Sequence, residues 1–139
     1  MIGPKRPRPT PLEEASAYEL VTMRDMGVCV KCRRTYMGVV SRDHRQNRSQ
    51  GGLTVASNLQ LLCGTGTTGC HGWATQNPHA ALRNGYAVPS WAEPSEWPAR
   101  RWATTSINTL EQIWCLYDDE GRWERITDVR AVLLMEGVA

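Results

Sequence analysis

The residues best suited to chemistry fall into two groups. One is the stretch SRDHRQNRSQGG, residues 41–52, where Asp43 directly precedes His44 amid Arg42, Arg45 and Arg48. A carboxylate beside an imidazole can divide two tasks, holding a hard cation and taking a proton near neutral pH. Neighbouring residues on a strand point to opposite faces, so one side chain can meet a metal while the other is tilted by the loop towards a water. The arginines suit phosphate oxygens, to which a guanidinium can donate two parallel hydrogen bonds. The plain alternative is a solvated surface loop with an Asp-His pair.

The second group is four of the five cysteines, spaced Cys29-x2-Cys32 and Cys63-x6-Cys70. A CxxC turn presents two sulfurs to one ion, and zinc prefers four tetrahedral thiolate or imidazole ligands. Two disulfides or unpaired buried thiols are the competing readings. No apolar stretch follows the basic start MIGPKRPRPTP, and no run of about 20 apolar residues exists to span a bilayer. The expectation is a reducing cytoplasm, where disulfides rarely persist, and hence a structural zinc. Cys115, in an apolar flank, reads as a core residue.

These side chains need elements to place them. Residues 1–11 read as a flexible basic tail. PLEEASAYELVTMRDMG, residues 11–27, predicts a helix capped by Thr10, with Leu12, Ala15, Leu20 and Met23 on one face and Gly27 at its end. Short strands are expected over 37–43 and 58–63, then helices over 70–77 and 78–85, with Thr68 a possible cap of the first. The stretch 86–106, with its Pro and Trp residues, shows no usable period and reads as an extended arm or a wrap. IWCLYDDEGRWERI, residues 113–126, reads as a hairpin, and DVRAVLLMEG, residues 128–137, as a helix capped by Asp128. The 139 residues fit one domain with an appendage, and a core with no Phe calls for a staple.

Taken together, CVKC, then RDH, then NLQLLC, then CH resemble the HNH nuclease family in its zinc-containing form, in order and spacing over about residues 20–88. LLCGTGTTGCHGW followed by Pro78 resembles more narrowly the small stand-alone HNH proteins of tailed phages of actinobacteria. The resemblance implies an α+β chain with a ββα-metal core over residues 12–88, an N-terminal helix, and an extension over 89–139. It implies that Asp43 and His71 hold a catalytic divalent cation such as Mg²⁺. It further implies that His44 is the general base and that Asn58 holds the loop and orients the His44 ring. Cys29, Cys32, Cys63 and Cys70 would be the zinc ligands. DNA is the implied substrate, in replication, recombination or packaging, and the terminase machinery the implied partner. Some relatives carry a further histidine four residues after His71; this chain has Thr75 there.

Charge agrees with a polyanion partner without proving one. Residues 1–90 hold eleven Lys/Arg against five Asp/Glu, a balance of +6, while residues 91–139 hold five against nine, a balance of −4. Arg42, Arg45 and Arg48 are the expected phosphate contacts, and Arg100-Arg101 are open for DNA contact. His79 reads as a helix-start surface residue. Two functions compete with the nuclease: a zinc-stabilised DNA-binding module without cleavage, and an accessory protein whose acidic, Trp-rich half docks a partner. The joint presence of Asp43, His44 and Asn58 favours the enzyme.

Overall fold

A computed structural model describes residues 6–137. The first helix, α1 (Pro11–Arg24), starts on a reciprocal cap: Thr10 Oγ1 accepts from the Glu13 N–H, and the Glu13 carboxylate accepts from the Thr10 N–H. Its buried stripe differs from the expected one. Ala17, Val21 and Arg24 face inward, while Leu12 and Met23 are 81% and 77% exposed. The reason is polar: Arg24 donates to the carbonyls of Ala56 and Leu59, and this turns the 17/21/24 side towards the interior.

Strands β1 (Val40–His44) and β2 (Leu59–Cys63) pair antiparallel, with Asp43 opposite Gln60 and His44 opposite Leu59. Every residue of β2 is buried. Helices α2 (Gly69–Gln76) and α3 (Pro78–Arg83) follow, and α2 packs on β2. Gly85 lets the chain turn back close to the second sheet. It takes φ +84°, and a Cβ there would meet Trp114 and the Arg100 backbone.

The second sheet has the order β3-β4-β5 and is antiparallel throughout. The expected hairpin is present as β4 (Leu110–Tyr117) and β5 (Trp123–Ile126). The stretch expected to be a wrap instead forms β3 (Ala99–Thr104) after a short turn at Pro94–Glu96. Its alternation is hidden in the sequence because an inward slot is filled by Arg101, which is buried. Helix α4 (Asp128–Met135) is capped by Thr127 rather than Asp128, the Thr127 hydroxyl accepting from the Arg130 N–H at 3.1 Å.

Three small apolar clusters make up the core, around Leu62–Tyr86, Val21–Leu59 and Ile113–Tyr117. Cys115 lies in the third, as expected, and burial pushes its thiol up to about 11. A buried polar network joins them. Asp25 accepts from Arg24 and Arg101 at 2.8 and 2.9 Å and from the Leu61 N–H at 3.1 Å, while Arg24 lies 3.7 Å over the Tyr117 ring. Burial of these charges is tolerable because they are mutually paired. Residues 89–139 are therefore joined to the first sheet by buried bonds. Of the expected tail, residues 1–5 lie outside the described residues, and Arg6 is ion-paired to Glu93 and Asp119 at 3.2 and 2.8 Å. No helix among the described residues is long and apolar enough to cross a membrane.

Candidate metal centre and active site

The four cysteines converge as their spacing predicts. Their sulfurs all lie within 4.8 Å of one another, and Cys32 and Cys63 sulfurs are 3.6 Å apart. A tetrahedral ion with Zn–S bonds of about 2.3 Å separates its sulfurs by about 3.8 Å, so the set can hold a metal ion such as zinc. Backbone donors face the sulfurs as well: Lys31 N–H to Cys29 at 3.4 Å and Cys70 N–H to Cys63 at 3.3 Å. Burial raises the Cys32 and Cys70 thiols. Against burial, the Cys70 N–H and the neighbouring thiols hold Cys63 below its ordinary value. Four crowded thiolates repel each other, and a divalent cation removes that repulsion.

The other predicted residues gather around the first sheet. Asp43 sits on β1 and His71 in the first turn of α2, and Asp43 Oδ1 lies 3.2 Å from His71 Nε2. The second Asp43 oxygen accepts from Gln60 Nε2 at 3.0 Å. Gln60 is fully buried and also donates to the Tyr86 carbonyl at 2.7 Å, so the Asp43 carboxylate is held in one orientation. Gln60 was not among the predicted site residues. Its signal was a polar residue in the otherwise apolar strand NLQLLC.

The hydrogen bond that His71 donates to Asp43 raises the His71 pKa, against the effect of burial. Adjacent ligands of an octahedral cation at about 2.1 Å are about 3.0 Å apart, so the Asp43–His71 separation fits two neighbouring ligands. His71 Nδ1 is buried with no hydrogen-bond partner among the described residues, so the ring lacks the outer bond that commonly orients a metal-bound imidazole. Thr75 donates to the His71 carbonyl at 3.1 Å and is spent within the helix.

His44 ends β1 on the opposite face from Asp43. Its Nε2 is 2.9 Å from Thr54 Oγ1, and the Tyr18 ring meets it edge-on at 6.4 Å. If Nε2–H donates to Thr54, Nδ1 is the nitrogen left to accept a proton. Burial first, and the Arg48 charge second, lower the His44 pKa, so the ring is neutral at pH 7. Thr54 had no signal in the sequence, because one hydroxyl in a loop resembles any other.

Asn58 is fully buried just before β2. Its Oδ1 accepts from the Gln46 N–H at 2.7 Å, and its Nδ2 donates to the Gln46 and Leu53 carbonyls at 3.1 and 2.9 Å. It thus staples the loop that follows His44, one of the two roles the resemblance implied. The ring itself is oriented by Thr54 and Tyr18 rather than by a bond from Asn58. Gly52 is needed where this loop closes, since a Cβ there would strike the Gln46 carbonyl.

The three arginines separate. Arg42 is exposed, bonded to Thr22 Oγ1 at 3.2 Å, and Arg48 is exposed, paired with Glu14 at 3.3 Å. Arg45 is corrected: it is 2% exposed and donates to the carbonyls of Ser57, Pro94, Trp97 and Pro98. Burial pulls its pKa down to about 10. It cannot reach a phosphate, because its fork is filled by the chain itself. Arg101 is likewise buried, whereas Arg100 lines a cavity. His79 is exposed at the start of α3, as expected. No protein-family model, curated protein or solved structure matches the chain.

Proposed function

We propose that the chain is a divalent-cation-dependent DNA endonuclease of the HNH kind, with β1, β2 and α2 as a ββα-metal unit stapled by zinc. One observation carries the reading. A carboxylate on β1 and an imidazole on α2 meet at 3.2 Å, while the next residue along β1 is a histidine whose pKa burial lowers and whose Nδ1 has no hydrogen-bond partner among the described residues. A structural pair alone would not need that neighbour.

Asp43 and His71 would hold a hard cation such as Mg²⁺, which when bound neutralises charge on the scissile phosphate and the leaving 3′-oxygen. His44 Nδ1 accepts the proton of the attacking water, while Thr54 keeps the other proton on Nε2. Gln60 fixes the Asp43 carboxylate. Asn58 fixes the loop that carries Arg48. Arg42 and Arg48 contact flanking phosphates, which sets affinity and its salt dependence. Action in phage DNA processing or packaging, alongside terminase, belongs to this reading through the family resemblance.

The test is relaxation of supercoiled plasmid by zinc-loaded protein with Mg²⁺ or Mn²⁺. The wild type should nick, and His44→Ala should keep its zinc and its DNA binding but lose nicking. Binding by both proteins with nicking by neither would make the chain a zinc-stabilised binding module.

A further inference from the structure

A cavity of about 270 Å³ opens between the zinc knuckle and the second sheet, lined by Lys31, Trp73, Asn84, Tyr86, Arg100 and Gln112. We propose that it takes one unpaired nucleotide of a DNA strand, the base against Trp73, which the buried Tyr86 backs, and the phosphate on Arg100. The choice of DNA rests on the nuclease reading; the cavity itself does not.

The lining carries two cations and no carboxylate, and neither Lys31 nor Arg100 is ion-paired among the described residues. The Nε of Arg100 is buried out of reach of the cavity, but its terminal nitrogens make no side-chain hydrogen bond among the described residues and are the donors left for an anion. Arg100 is held in place by its N–H bond to the Gly85 carbonyl at 3.1 Å and by stacking 4.7 Å from the Trp114 ring. The Lys31 ammonium lies over the Trp73 and Tyr86 rings at 4.5 and 5.9 Å, so Arg100 is the main phosphate contact.

One accessible aromatic ring, Trp73, and two amides complete the fit. Trp73 and Tyr86 meet edge to face at 6.2 Å, and Asn84 and Gln112 at the exposed rim offer both donors and acceptors to a base edge. Lys31 lies 4.5 Å over Trp73, and its long solvated side chain must swing aside when a base stacks there. Stacking is stronger than the exposed cation–π contact it replaces. The volume is at the lower edge of small-molecule sites, about 300 Å³, which suits one nucleotide unit.

Position links the cavity to the cleavage site. Trp73 is two residues after His71 on α2, and the Tyr86 carbonyl accepts from Gln60, the residue that holds Asp43. His71 and Trp73, two positions apart on α2, point to opposite sides of the helix, so one strand touches both only by wrapping around it.

The experiment uses the full zinc-loaded chain with a labelled twelve-residue oligo-dT, an iodouracil version for photo-crosslinking, and dTMP. The wild type should bind oligo-dT and crosslink to Trp73. Arg100→Gln should weaken binding about tenfold, as loss of one charged phosphate contact implies. Gln112→Glu, at an exposed strand position whose side chain donates only a long 3.4 Å bond to the Tyr86 hydroxyl, should weaken it by placing an anion at the rim, with the melting temperature checked alongside. Unchanged binding in both variants, crosslinking elsewhere, or dTMP bound as tightly as oligo-dT would overturn the proposal. The two readings fail separately. A wild type that nicks while both variants bind oligo-dT normally loses only the cavity. A wild type that crosslinks at Trp73 but never nicks loses only the nuclease.

Discussion

At the scale of single residues, the site separates two histidines by environment. His44 is held neutral by burial and by Arg48, with its pKa below the ordinary 6.5. A base of lowered pKa stays unprotonated to lower pH, so the nicking rate should rise with pH and level off, with its acid limb below 6.5. A cation held at Asp43 pushes the limb the same way. Arg48→Gln removes one lowering influence and should move the limb upward; a pH–rate profile that places the wild-type limb above that of the variant would contradict this. Asn58→Ala should lower stability, because the Gln46 N–H and two carbonyls lose their partners. Buried unsatisfied groups of this kind cost about 1–3 kcal/mol each, measurable by chemical denaturation at fixed zinc.

At the scale of elements, the arginines give opposite predictions from the same residue type. Arg45→Ala empties a fork filled by four carbonyls and should destabilise by roughly 2–4 kcal/mol, without a specific change in the salt slope of DNA binding. Arg48→Ala should leave the melting temperature nearly unchanged and reduce the salt slope by about one unit. Equal behaviour of the two variants would refute the separation. Sequence pattern had placed all three arginines together, because proximity in the chain says nothing about which guanidinium turns inward. The strands, the hairpin and the paired short helices were legible from turn residues and alternation. Strand β3 and the buried face of α1 were not, since both are set by buried arginines that periodicity counts as surface. Of the candidate site, the convergence of the four cysteines was legible by type and spacing, while Asp43, His44, Asn58 and His71 were singled out through the family resemblance; Thr54 and Gln60 emerge only when the strands pair.

At the scale of the molecule, three thin clusters and one ionic network share the burden that one large core would carry. If the four sulfurs hold an ion such as zinc, its removal with a chelator should cause a cooperative loss of structure around Cys29–Cys70, seen as a large fall in melting temperature at pH 7. A melting temperature unchanged after zinc is shown to be gone would mean that the sulfurs are not a staple. Truncation after residue 88 should leave a chain that does not fold on its own. It removes Arg101 from Asp25, Tyr117 from Arg24, and three of the carbonyls that Arg45 holds.

The division of labour between Asp43 and His44 is the centre of the account, and chemical rescue tests it most directly. His44→Gly, loaded with zinc and supplied with Mg²⁺, should nick plasmid at least about 10²-fold more slowly than the wild type. Added imidazole should restore part of that rate, and should restore none to Asp43→Ala. If His44→Gly nicks at the wild-type rate, or imidazole restores Asp43→Ala as well as His44→Gly, His44 is not the base and the account is wrong.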